Sequence, residues 1–198
     1  KKKVGEPMNP LFPNSIVQEY QEQKSIKQES RTRKNTRKHA KYDLKNAEEA
    51  LKRAESETNN EDQERYCMDS FRNSVDSTEK NGKVLAEMIG IEKTKVRNRE
   101  IRCSHSNVDI NNALKNNGID FIDNDDAKFL DSFASHKDGC GSTHSELGYG
   151  EATPNYDDAK RALQIAQKAN EVVNKKEAEK KEQIFMKNIL AQIERQLQ

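Results

Sequence analysis

Residues 39–54 read HAKYDLKNAEEALKRA. Within them Ala40, Leu44, Ala47, Leu51 and Ala54 recur at steps of 4, 3, 4 and 3, the spacing that lines up apolar side chains along one stripe of a helix. The stripe is narrow and mostly alanine, so it lets helix backbones approach closely but buries little, about 1 kcal/mol or less per alanine. The pattern predicts a helical seam that sets geometry more than stability. No Pro or Gly interrupts the chain from Ile16 to Glu57, which allows a helix of roughly 63 Å. Ser15 and Gln18 stand in capping-box positions at its start.

The same seam returns near the other end, at Ala162, Ala166, Ala169 and Val173. There Thr153-Pro154 followed by Asp157 and Asp158 predicts a helix start, with acids at the positive end of the dipole. Nothing breaks that helix up to Gln198. Between Val173 and Ile184 it is polar on every side, and beyond this stretch Phe185, Ile189, Ile193 and Leu197 follow at steps of four. A solvated strut that ends in an apolar face must find its partner elsewhere.

Between the two seams, a second helix is expected from about Glu61 to Cys103, capped by Asn60 and carrying Cys67, Phe71, Val75, Leu85, Ile89 and Val96. Gly82 lies inside it, and a glycine costs about 1 kcal/mol relative to Ala in a helix interior, so a kink or break is expected near Asn81-Gly82. A shorter helix over 108–117 should stop at Gly118 in a left-handed cap. Residues 118–153 are acidic and hold five of the eight glycines. They read as a loop-rich insert with one short helix over 126–135, packed by Phe129, Leu130 and Phe133. At the front, Pro7, Pro10 and Pro13 make residues 1–14 an extended arm. The resulting organisation is an arm over 1–14, long helices over 15–117, an insert over 118–153 and a C-terminal helix over 154–198. The fold class is all-α, an elongated bundle of two or three long helices.

Composition agrees with a thin body. Apolar residues make up 32% of the 198, too few for a large compact enzyme core. There is no run of about 18 apolar residues, hence no membrane-spanning helix in this stretch of chain. Charged residues reach 35% with a net charge of only +1, which suits helices with mixed-sign surfaces.

The charges are nevertheless segregated. Lys24, Lys27, Arg31, Lys34, Lys38, Lys41 and Lys45 follow one another at alternating steps of 3 and 4, flanked by Arg33, Arg37 and His39. Glu29 and Asp43 are the only acids from Lys24 to Lys45, whereas residues 105–158 are strongly acidic. Like charges at these spacings repel by a few tenths of a kcal/mol per pair, so an anionic partner would relieve the stripe. Two partners fit: an acidic protein surface, or a nucleic-acid backbone tracked by lysines without base reading. With only Tyr20 and Tyr42 available for stacking, nucleic-acid binding would be indifferent to sequence.

Cys103-Ser-His105 and His136-Lys-Asp-Gly-Cys140-Gly-Ser-Thr-His144 gather donors that zinc can use. The tight C-x2-C knuckle is missing. A zinc site, a Cys103–Cys140 disulfide and unrelated residues stay open as readings, and none is adopted; no cofactor is expected. Three cysteines are too few for a disulfide framework. Reduced thiols and a reducing compartment or virion interior are therefore favoured, with secretion left open because the chain begins at Lys1. A Cys-His nucleophile around Cys140 would lack the apolar material for a pocket, and the chain is read as non-enzymatic. The function expected is structural: a helical subunit of a larger assembly, in a virion or tail context or a secretion or conjugation apparatus, joined to other protein subunits and to copies of itself. The alternative is a nucleic-acid-binding helical protein that uses the stripe.

Overall fold

The computed structural model describes residues 14–133 and 153–196, with side chains from residue 31 onward. Two units are distinguished, Lys1–Asn35 and Thr36–Gln198. In the first, the described residues are helical throughout. The second carries the core.

Five helices occur among the described residues: α1 (Asn14–Ser56), α2 (Asn60–Met88), α3 (Asn107–Asn116), α4 (Asn124–Ser132) and α5 (Tyr156–Gln196). The fold is a predominantly helical bundle with little sheet. It is not simply two or three long helices, because α3 and α4 supply a large part of the core. A small hairpin, β1 (Lys95–Val96) against β2 (Arg99–Glu100), links α2 to α3 through a 3-10 turn at Ile101–Cys103.

The seam residues Ala40, Leu44, Ala47 and Ala54 are buried and Leu51 is half-buried; Ala162, Ala166, Ala169 and Val173 are buried on α5. Leu44, Ala47, Leu163 and Ala166 form one apolar cluster where α1 meets α5. Facing α1, α2 presents serines. Ser70 Oγ donates to the Ala47 carbonyl at 2.9 Å, and Ser77 Oγ donates to the Ala40 carbonyl at 2.8 Å. Alanine on one helix and serine on the other bring the backbones close enough for a hydroxyl to bridge them. The same bridge satisfies a buried polar group that would otherwise destabilise the fold.

The expected kink at Asn81-Gly82 is absent, since α2 runs unbroken through both residues. Gly82 is instead a point of close approach, where a methyl group would lie 2.5 Å from Ile110 Cγ2 and 3.1 Å from Phe121 Cε1. The missing side chain makes room for α3, which outweighs the helix-propensity cost. Nor does the second helix reach Cys103. It ends at Met88 in a Schellman motif, with Gly90 at φ +78° donating to the Glu87 carbonyl and the Ile91 amide donating to the Ala86 carbonyl at 2.9 Å. Arg97 and Asn98 then turn the hairpin with positive φ at both central residues, the signature of a type I′ turn. The cap of α2 is Asn59 rather than Asn60.

Gly118 ends α3 as the sequence predicts, at φ +76° with the Ile119 amide on the Leu114 carbonyl. The short helix α4 begins after Asp123, earlier than expected. Helix α5 begins after Asn155. Asn155 and Asp158 cap each other reciprocally at 2.9 and 3.1 Å, and Pro154 lies just outside.

The main core joins α2, α3, α4 and α5 around Phe71, Leu85, Ile101, Ile110, Leu114, Leu130 and Ile165. Asp131 of α4 binds the N-terminus of α3, accepting from the Asn107 amide at 2.9 Å, the Val108 amide at 3.0 Å and Ser106 Oγ at 2.7 Å. An anionic carboxylate on unpaired helix amides is favourable both as a hydrogen-bond acceptor and against the helix dipole.

Candidate interaction surfaces

The most exposed apolar material lies on the C-terminal part of α5. Ile184, Phe185, Met186, Leu190 and Ile193 are 47–62% exposed, and Ile189 is half-buried. The strut that precedes them reads KKEAEKKE over residues 175–182, charged everywhere but Ala178. Among the described residues, Lys176–Glu179, at 2.7 Å, is the one ion pair formed within it. Leu197, the fourth residue expected in the apolar set, lies outside the described residues. Phe185, Met186, Ile189, Leu190 and Ile193 share one side of the helix, by the roughly 100° advance per residue of an α-helix. Ile184 lies on the other side.

The basic stripe lies on α1. Arg31 and Lys34 in the first unit and Lys38, Lys41 and Lys45 in the second are all exposed. Lys24 and Lys27 are helical, with side chains outside the described residues. Lys45 pairs with Glu49 at 3.5 Å, whereas Lys38 and Lys41 face solvent without an ion pair among the described residues. Between Lys41 and Lys45 stands Tyr42, 64% exposed.

Arg37 behaves differently from the stripe it flanks. It is buried, and its guanidinium donates through Nη1 to Asn81 Oδ1 at 2.5 Å and Asn170 Oδ1 at 2.8 Å, and through Nη2 to Asn174 Oδ1 at 2.6 Å. Glu177 lies 3.5 Å from Nε. Burial draws the guanidinium's pKa down from its usual value, against Glu177, which raises it. Arg37 thus joins α1, α2 and α5 internally. The sequence carried a signal for it: three residues before Ala40, Arg37 continues the seam by one more step.

The hairpin region adds cations that charge patterning along helices does not find. Lys93, Lys95, Arg97, Arg99 and Arg102 are all exposed. Arg97 pairs with Asp109 at 3.2 Å and Arg102 pairs with Glu100, while Lys95 and Arg99 make no ion pair among the described residues.

Among the described residues the cysteine and histidine donors are not assembled. Cys103 is an exposed free thiol, and Cys67 is a buried one whose pKa is pushed up by burial and by nearby Glu64. His136, Cys140 and His144 lie outside the described residues. His105 Nδ1 is 3.2 Å from Oε1 of buried Glu79, which also accepts from Lys83 at 2.7 Å. Burial opposes the charge on Glu79, but His105 and Lys83 outweigh it and hold the carboxyl below its ordinary range. This arrangement is a satisfied buried carboxylate. Among the described residues no three His, Cys, Asp or Glu side chains gather as a metal site, and no helix is long and apolar enough to cross a membrane.

No protein-family model, curated protein or solved structure matches the chain, which leaves these surfaces as the guide to its function.

Proposed function

We propose that the chain is a non-catalytic helical subunit of a larger protein assembly, held to its neighbours through the end of α5 and through its segregated charge. The observation that carries this reading is the exposed apolar face at Phe185, Met186, Leu190 and Ile193. Burying a large apolar side chain is worth about 1.5–3 kcal/mol, and a contiguous exposed apolar patch marks an interaction site. The strut before it, residues 175–183, polar but for Ala178, supports the same reading, because it sets the face apart from the chain's own core.

The test is the size of the protein in its source cells. After gentle lysis, sedimentation should place most of the chain in one discrete species several times the mass of a single copy. Leu190→Glu, a change at an exposed position, should release it as the single chain with its helical circular dichroism intact. Recovery of the unaltered protein as a single chain at native abundance would overturn the reading.

A second reading, sequence-indifferent nucleic-acid binding, is favoured by one observation: exposed Tyr42 stands among Lys38, Lys41 and Lys45 on one helix. A base can stack on such a ring while lysines follow the phosphates. Replacing Lys27, Arg31 and Lys34 together by Gln should flatten the slope of log K against log salt by about 0.7–0.9 for each phosphate no longer neutralised. A protein that shows no salt-dependent retention on single- or double-stranded nucleic acid ends this reading.

A further inference from the structure

We infer that the partner of the α5 face is a second copy of this chain, docked parallel, so that the C-terminal parts of two α5 helices form a short coiled coil. The inference rests on the assembly reading above and names the neighbour at that surface. Met186, Leu190 and Ile193 are spaced 4 and 3 and are 51%, 55% and 47% exposed, which suits the d, a and d positions of a heptad seam. In that register Glu182 takes the position before a, and Lys187 takes the position after d. Residues so placed, five apart in sequence, face one another across a parallel two-stranded coil.

Both side chains are exposed, and neither makes an ion pair among the described residues. Two-fold symmetry forms the Glu182–Lys187 pair twice. An antiparallel pair with Leu190 layered on Ile193 of the other copy would set Lys187 against Glu194 instead of Glu182. The parallel arrangement is the one that pairs Glu182 with Lys187, and exchange of these two charges distinguishes it from the antiparallel one. Ile189, at the position before a, flanks the seam and widens the buried strip.

The interface is short. Two heptads bury less than the roughly 1,200 Å² of a standard interface, so a dissociation constant of about 10–100 µM is expected for the isolated chain.

Sedimentation equilibrium of the purified full chain, from about 1 to 500 µM, tests this directly. The unaltered protein should pass from monomer to dimer. Glu182→Lys or Lys187→Glu alone should weaken the dimer about 5-fold or more, since each sets like charges against one another at two places. The double exchange should restore the original affinity to within about twofold. Leu190→Glu should leave a monomer of unchanged helicity.

A monomer at every concentration overturns the inference and assigns the face to another occupant. A dimer indifferent to the charge exchanges, or one weakened by Lys187→Glu but not by Glu182→Lys and not rescued by the double exchange, overturns the parallel register. Neither result touches the assembly reading, which stands or falls on the size of the protein in its source cells.

Discussion

Replacing Arg37 with Ala lowers the unfolding free energy by about 3–5 kcal/mol, read as a drop of roughly 2 M in the urea midpoint at pH 7. The reason lies less in the bonds removed than in the groups left behind. Asn81 is completely buried, and its Oδ1 accepts from Arg37 at 2.5 Å. Asn170 and Asn174 accept from the same guanidinium at 2.8 and 2.6 Å. Without Arg37, the Asn81 carbonyl oxygen has no donor in a place water does not reach, and stranding a buried polar group costs about 1–3 kcal/mol. Arg37→Lys separates charge from geometry. An ammonium keeps the attraction to Glu177, but as a compact point charge it cannot reproduce the planar fork that serves three asparagines from two nitrogens. About half the destabilisation should remain. If Arg37→Ala unfolds within about 0.5 kcal/mol of the unaltered protein, the network does not hold the three helices together.

Arg37 also shows where the sequence can be read and where it cannot. The seam on α1 was legible because alanine and leucine repeat at helical spacing, and Ala40, Leu44, Ala47 and Ala54 are buried. Arg37 sits on the same seam one step earlier, but it is embedded in a run of cations, and composition masks register. The serines of α2 were illegible for a related reason. A polar residue on a buried face is explained only by the backbone opposite it, here the carbonyls of Ala40 and Ala47. Gly82 was visible as an anomaly but carried the wrong sign, because local propensity argues for a break while tertiary packing against Ile110 needs the space. The hairpin has strands of two residues and no glycine at its turn, so neither alternation nor turn chemistry announced it.

Of the candidate surfaces, the stripe and the apolar end of α5 were both apparent as patterns. What the sequence could not supply was exposure. Five cations of the stripe face outward while Arg37 among them is buried. The apolar residues of α5 divide between a buried set up to Val173 and an exposed set from Ile184 onward. Both divisions depend on which helices lie opposite, and that information is not local.

The second large effect is expected at Phe71, where α4 docks onto α2. Phe71 is fully buried, with its ring 4.6 Å from that of Phe133 and 5.8 Å from that of Phe129. Phe129 and Phe133 meet edge to face at 5.6 Å, and the Arg161 guanidinium lies 4.2 Å over Phe129 while pairing with Asp126 at 3.0 Å. Phe71→Ala removes the ring on which the other two rest and should cost about 3–5 kcal/mol. Phe71→Leu keeps most of the volume and should cost about 1–2 kcal/mol.

The destabilisation has a direction as well as a size. α4 is short, and its Asp131 caps the N-terminus of α3, so loosening α4 also withdraws an acceptor from the first amides of α3. Amide hydrogen exchange of Phe71→Ala should therefore show α4 and the first turn of α3 opening well before α1, α2 and α5, as a separate low-energy unit. Equally reduced protection in all five helices would mean instead that Phe71 supports the bundle as a whole. In that case α3 and α4 are as much part of the cooperative core as the three long helices, and the aromatic cluster is not a local clasp.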